Sequence, residues 1–334
     1  MAWEIKLFQR TGLAYYENCL RLFEAYANSA PFWERALLSA YVGLGPPVAR
    51  IFGGNTKTVW AQAELIIADL FAVSGMTPDG VLSELRRYMK IKQELDNHLQ
   101  FEQACELIYN QNFYPIVTHF TFAFQSSAVA RLRFVRRTAS AVAFSQATVA
   151  DLGCGSGAML CEVLQSNPGW TGFGLDISRE SVDYARRLAA LKGVANRSHF
   201  QQGSIGDLPF RNGSVHLVIA SEVIEHLPEP QKAFSEIARV LAPGGLLALT
   251  VPIDSHTPAH MNSLSDENDF HELCRHAGLS VRSLKSKWHL TFGDDSRHLF
   301  AVAQSGGEDE VARDRVYSLS PQISSAASTG IVSS

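Results

Sequence analysis

At 334 residues the chain holds enough material for two domains, or for one large α/β domain with an appendage. Its 46% hydrophobic and 19% charged residues exclude a disordered or fibrous chain. A formal net charge of −4 disfavours a partner whose many phosphates must be neutralised, so a nucleic-acid substrate is not expected.

From Trp3 to about Ala141 apolar residues recur at three- and four-residue spacing, which predicts helices broken at Pro31, Gly43 to Pro47, Gly53-Gly54 and Thr77-Pro78. Thr77-Pro78-Asp79-Gly80 reads as a helix start, with proline in the first turn and an acid near the positive helix end. A helix region follows from Leu82 to about Ile108. The segment Tyr109 to Phe124 then concentrates Tyr109, Phe113, Tyr114, His119, Phe120, Phe122 and Phe124. Core packing is the first reading of that run and a substrate-lining role the second. Arg131, Arg133, Arg136 and Arg137 read as a solvated helix face, with a grip on an anionic acceptor as the sharper alternative. Residues 1–141 are thus expected to act as lid, substrate cover or dimerisation element, the last implying a homodimer.

Five cysteines without a Cys-x-x-Cys pairing predict neither a zinc site nor a disulfide framework. The N-terminal stretch MAWEIKLFQR lacks the apolar run of a signal peptide, and no later stretch reaches the length of a membrane span. A cytoplasmic protein is expected.

After Val142 short apolar runs alternate with helical stretches, the pattern that builds a parallel sheet. Strands are predicted over Thr148 to Leu152, Gly172 to Ile177, His199 to Gln202, Val215 to Ala220, Leu246 to Val251, Val281 to Trp288 and His298 to Ala303. Helices are predicted over Gly157 to Gln165, Glu180 to Leu191, Pro230 to Leu241 and Glu267 to Ala277. The fold class is α/β, a Rossmann-like seven-stranded sheet over 142–304 behind an N-terminal helical region. Residues 305–334, rich in Ser, Ala and charge, are expected to form a disordered tail.

The first predicted strand runs into Asp151-Leu152-Gly153-Cys154-Gly155-Ser156-Gly157, a glycine turn that lets the backbone bend sharply and approach a ligand. The second ends in Asp176, whose carboxylate can accept hydrogen bonds from ribose hydroxyls. Together they predict an adenosine ribose at the switch point of a doubly wound sheet without naming the cofactor, since NAD enzymes use the same device.

Four blocks in order narrow the choice: ADLGCGSG at Ala150 to Gly157, GLDIS at Gly174 to Ser178, QGSIGDLPFRNGSVHLVIASEVIEHL at Gln202 to Leu227, and ARVLAPGGLLALTVP at Ala238 to Pro252. This set resembles the class I S-adenosylmethionine (SAM)-dependent methyltransferases, especially the small-molecule subgroup that includes the ubiquinone-biosynthesis enzymes. The resemblance implies transfer of the SAM methyl group to a small-molecule substrate. It implies that Asp151, Gly153, Gly155 and Gly157 hold the methionine end, Asp176 the ribose and Ile177 the adenine. Ser204 and Ile205 stand where the family often has an acid and a small apolar residue against adenine, and Ser221 would lie beside the methionine portion. Pro243-Gly244-Gly245 would turn the chain into the fifth strand. Glu222, Glu225 and His226 match an E-x-x-E-H pattern that supplies divalent-metal ligands in some relatives. A base or positioning role for His226 with Glu222, and a structural role, are the alternatives to a metal. An NAD-dependent dehydrogenase and a noncatalytic SAM-binding module are the competing functions.

Overall fold

The computed structural model describes residues 65–66, 68–94, 103, 105–124, 126–253, 264, 266–288 and 297–306. The predicted helix breaks before residue 65 and the predicted tail beyond residue 306 lie outside the described residues.

The predicted helix start is where the sequence puts it: α1 spans Pro78–Glu94, and the Thr77 hydroxyl accepts the Gly80 amide at 3.2 Å. A single π-helical turn, Cys105–Tyr109, precedes α2 (Phe113–Phe124) and α3 (Ser126–Ser140). The sheet follows with β1 (Thr148–Leu152), β2 (Thr171–Asp176), β3 (Ser198–Gln202), β4 (Val215–Ser221), β5 (Leu241–Ile253), β6 (Leu279–Trp288) and β7 (Arg297–Ser305). Between the strands lie α4 (Ala158–Ser166), α5 (Arg179–Leu191), α6 (Pro230–Val240) and α7 (Glu267–His276).

The strand order is β3-β2-β1-β4-β5-β7-β6, with β7 antiparallel to both neighbours and the other pairs parallel. The order of strand addition therefore reverses between the parallel β1 and β4, and the crevice beyond their carboxyl ends is where a doubly wound sheet binds ligands. Val149, Leu217, Ile219 and Ala248 meet α3, α4 and α5 on one face, while Ala150, Val218, Ala220 and Leu249 meet α6 and α7 on the other. Such two-sided burial is why these strands read as continuous apolar runs. Leu70, Val81, Leu85, Phe113 and Ile116 join the first of these cores, so the helices ahead of the sheet pack directly onto it.

Most boundaries fall within a residue or two of the expectation, and the largest difference is at β5. The β5 strand begins five residues early, at Leu241, and Pro243-Gly244-Gly245 falls inside it as an irregularity, where the pairing slips between Val215↔Leu241 and Leu217↔Leu246. Gly244 takes φ 75°, and its carbonyl accepts the Gln304 amide, so the glycine turn is absorbed into the sheet as a bulge.

Candidate functional site

The glycine turn closes the carboxyl end of β1. Gly153, Gly155 and Gly157 have φ of 68°, 51° and 75°, the left-handed region open to glycine. A Cβ at Gly153 would sit 2.6 Å from Val223 Cγ2, and one at Gly157 would sit 2.7 Å from the Ala185 Cβ. The turn is tied to β2, since Gly153 and Cys154 both donate to the Leu175 carbonyl.

Asp176 ends β2 buried, at 7% exposure. Its Oδ2 accepts the Gly155 amide at 2.8 Å and its Oδ1 the Ser178 amide at 2.9 Å. Burial pushes the carboxyl up to about 6 against these two stabilising bonds. Asp151, at the same end of β1, is pushed up to about 8 by burial and then by the charge on Asp176. Asp151 Oδ2 and Ser156 Oγ are buried without a hydrogen-bond partner. Two orphaned polar atoms and two strained-up acids around a left-handed glycine turn fit a ligand with amine and hydroxyl donors. Ile177 follows Asp176 and is 38% exposed. Ile205 is buried, whereas Ser204 is exposed and its hydroxyl accepts the Gly206 amide at 3.2 Å. Ser221 is half-buried and shares a 2.8 Å hydrogen bond with Thr250.

The helical region roofs this turn. A Cβ at Gly155 would approach Thr118 Oγ1 of α2 to 3.3 Å. Tyr114, one turn earlier, has its phenol held well above the usual range by burial, then by Tyr109 and by Asp176. The aromatic run therefore does two jobs: Phe113 and Phe120 are core, while Tyr109 and Tyr114 reach the site.

The E-x-x-E-H residues follow β4 but do not converge. Glu222 has φ 55°, the one non-glycine positive φ among the described residues, a strained state that needs surrounding contacts to hold it. Its Oε2 meets His298 Nε2 at 3.0 Å and Arg131 Nη1 at 3.3 Å. Although burial opposes ionisation, the Arg131 guanidinium and His298 hold Glu222 down to about 2. Glu225 is 1% exposed, and burial followed by the Glu222 charge holds it well above the usual carboxylate range, hence neutral. His226 turns its Nδ1 to the Tyr109 hydroxyl at 3.0 Å. Among the described residues no group of three or more His, Cys, Asp and Glu is placed to hold a metal ion, and these three residues do not fit one.

Two further participants were not placed here by the sequence: Arg131, expected on a solvated helix face, and His298, read only as a strand residue. Arg131 is 9% exposed and grips Glu222, while Arg133, Arg136 and Arg137 are exposed as a solvated face requires. Its place at the buried edge of α3, next to Leu132 and Val135, was the available signal. His298 sits in the antiparallel β7, whose alternation gave no sign of it.

Strand order, glycine turn and buried acid define a doubly wound, nucleotide-type binding domain. Residues 150–249 match the family described as a methyltransferase domain. The chain is 31% identical over 129 residues to tocopherol O-methyltransferase of Arabidopsis thaliana, covering 38% of this chain and 37% of that one. It is 38% identical over 105 residues to arsenite methyltransferase of Halobacterium salinarum, covering 31% and 26%. To ajmaline N-methyltransferase of Rauvolfia serpentina it is 29% identical over 133 residues, covering 40% and 45%. The chain thus spans less than half the length of each of these relatives. Geranyl diphosphate methyltransferase in complex with SAM overlays with a TM-score of 0.48 at 14% identity, over 56% of this chain and 88% of that one. Over this stretch the chain is similar to the methyltransferase-domain family and to these methyltransferases. These relatives do not single out the ubiquinone-biosynthesis subgroup. Among the described residues no helix is long and apolar enough to cross a membrane.

Proposed function

We propose that the chain transfers the methyl group of SAM to a small-molecule acceptor in the cytoplasm. The observation that carries this reading is the left-handed glycine turn closed by Asp176, with Asp151 Oδ2 and Ser156 Oγ left orphaned beside it. Asp176 would accept from the ribose hydroxyls, Asp151 and the turn from Gly153 to Gly157 would hold the methionine end, and Ile177 with Ile205 would flank the adenine. Ser204 would serve the adenine through its hydroxyl or backbone, and Ser221 would line the methionine side. When bound, SAM supplies a sulfonium-activated methyl group, so the protein's work is alignment and exclusion of water.

The region 1–141 serves in this reading as a cover over 142–304, with Thr118 and Tyr114 of α2 closing the space above the turn. Dimerisation is the alternative use of that segment. His226 takes the acceptor's proton, and Glu222, fixed as a carboxylate, sets the charge around it.

Incubating the full chain with methyl-labelled SAM and a small-molecule cell extract should place label on a low-molecular-weight product, with S-adenosylhomocysteine formed in equal amount. Label on nucleic acid alone, or no label transferred, would contradict the proposal.

A further inference from the structure

Two contacts fix where α2 lies over the sheet. Thr118 stands above the glycine turn, its Oγ1 3.3 Å from the place a Cβ on Gly155 would take. One helical turn earlier on the same face, Tyr114 packs edge-on against Tyr109, with 5.0 Å between ring centroids. Tyr109 in turn meets His226, just beyond the end of β4, through a 3.0 Å hydrogen bond. Tyr114 is thereby held between the turn that ends β1 and the segment that follows β4. A further contact keeps the helix in place: His119 Nδ1 and the Tyr184 hydroxyl of α5, both buried, share a 2.7 Å hydrogen bond.

The Tyr114 phenol faces this crevice without a partner of its own. Among the described residues its hydroxyl makes no hydrogen bond. Asp176 at the end of β2 and Glu225 beyond β4 both act on it electrostatically, so it lies within reach of both sides of the crevice. Burial, then Tyr109 and Asp176, keep it protonated, and a ligand entering here meets a hydrogen-bond donor.

We propose that the Tyr114 hydroxyl binds the carboxylate of SAM's methionine end, so that the helical region completes the cofactor site as well as covering it. The proposal rests on the SAM-binding part of the reading above. The cofactor's donors have acids to receive them: Asp176 takes the ribose hydroxyls, and Asp151 Oδ2, buried without a partner, suits the ammonium. The carboxylate remains. It accepts and never donates, so the acids of the site cannot serve it. Two uncharged hydroxyls can: Ser156 Oγ, buried without a partner in the turn itself, and the Tyr114 phenol above. A bond from phenol to carboxylate is charge-assisted, and a donor already held in place loses little freedom when the ligand arrives.

The test titrates full-length wild type and Tyr114→Phe calorimetrically with SAM and with decarboxylated SAM, which lacks that carboxylate and keeps every other group. Wild type should bind SAM the more tightly. Tyr114→Phe should weaken SAM about 10- to 30-fold and decarboxylated SAM less than about twofold. A phenol with a merely structural role would weaken both ligands alike, and that result overturns the proposal. Wild-type SAM affinity in Tyr114→Phe overturns it as well, even where turnover falls, because the phenol then serves the acceptor. Should Tyr114→Phe fail to fold, 3-fluorotyrosine placed at position 114 of the otherwise native chain decides. Its fluorine resonance should move several-fold further with SAM than with decarboxylated SAM, and equal movement overturns the proposal. A wild-type chain that binds neither ligand defeats the SAM reading itself, and this proposal with it. Wild-type SAM binding alongside an indifferent Tyr114→Phe defeats the proposal alone.

Discussion

Replacing Arg131 with Ala should lower stability by about 2 to 3 kcal/mol, because it strips a nearly buried carboxylate of its main counter-charge. The side chains of Arg131 and Glu222 are 11% and 20% exposed. Glu222 keeps His298 at 3.0 Å, so the loss falls short of a fully orphaned charge. The melting midpoint should fall by roughly 5 to 10 °C for a domain of this size. Adding Glu222→Gln to Arg131→Ala should restore part of that loss, since no uncompensated anion then remains. If the double variant melts lower than Arg131→Ala alone, the ion pair is not what holds the end of β4. The pH dependence has a definite sign. The folded Glu222 titrates near 2, below its ordinary value of 4.5. Its contribution is therefore complete above about 4.5 and disappears as pH falls through 2, which adds acid sensitivity that Glu222→Gln should remove.

Asp176→Ala should weaken SAM binding by about 2 kcal/mol, roughly 30-fold, with the fold retained. The structure sharpens this expectation. Both carboxylate oxygens already accept backbone amides, from Gly155 and Ser178, so Asp176 shapes the glycine turn as well as facing the ribose. Asp176→Asn should be no gentler than alanine, because its amide group would point a donor at a donor. Calorimetric titration of the three chains checks this; SAM affinity for Asp176→Asn equal to wild type would remove the carboxylate from the site. The group titrates near 6 when folded, against an ordinary value of 3.8. SAM affinity should therefore fall as pH drops below 6, since the protonated carboxyl loses an acceptor. The stability of the ligand-free protein responds to this group in the opposite direction. Its ionisation is penalised by burial, so that penalty is complete above 6 and relieved as pH falls toward 3.8.

The centre of the sheet was legible because two-sided burial turns β1, β4 and β5 into apolar runs, and all seven strands lie where predicted, with ends moved by up to five residues. The glycine turn and Asp176 were equally legible, since local backbone demands leave a local signature. What the sequence hides is tertiary. Arg131 looks like its neighbours Arg133, Arg136 and Arg137, and only packing of α3 against the sheet buries one of the four. Tyr109 sits in an aromatic run whose other members are mostly core, and the π-helical turn that aims it at His226 has no periodicity to betray it. Glu222, Glu225 and His226 read as one constellation from their spacing. The left-handed backbone at Glu222 and the short 3₁₀ turn Ile224–His226 send the three to different partners.

The central claim is that the turn and Asp176 serve SAM rather than a dinucleotide, and direct calorimetric titration of the purified full chain with SAM and with NADH tests it most directly. The account predicts saturable SAM binding at one site per chain, displaced by S-adenosylhomocysteine, and no measurable heat from NADH. Saturable NADH binding with none for SAM would contradict it.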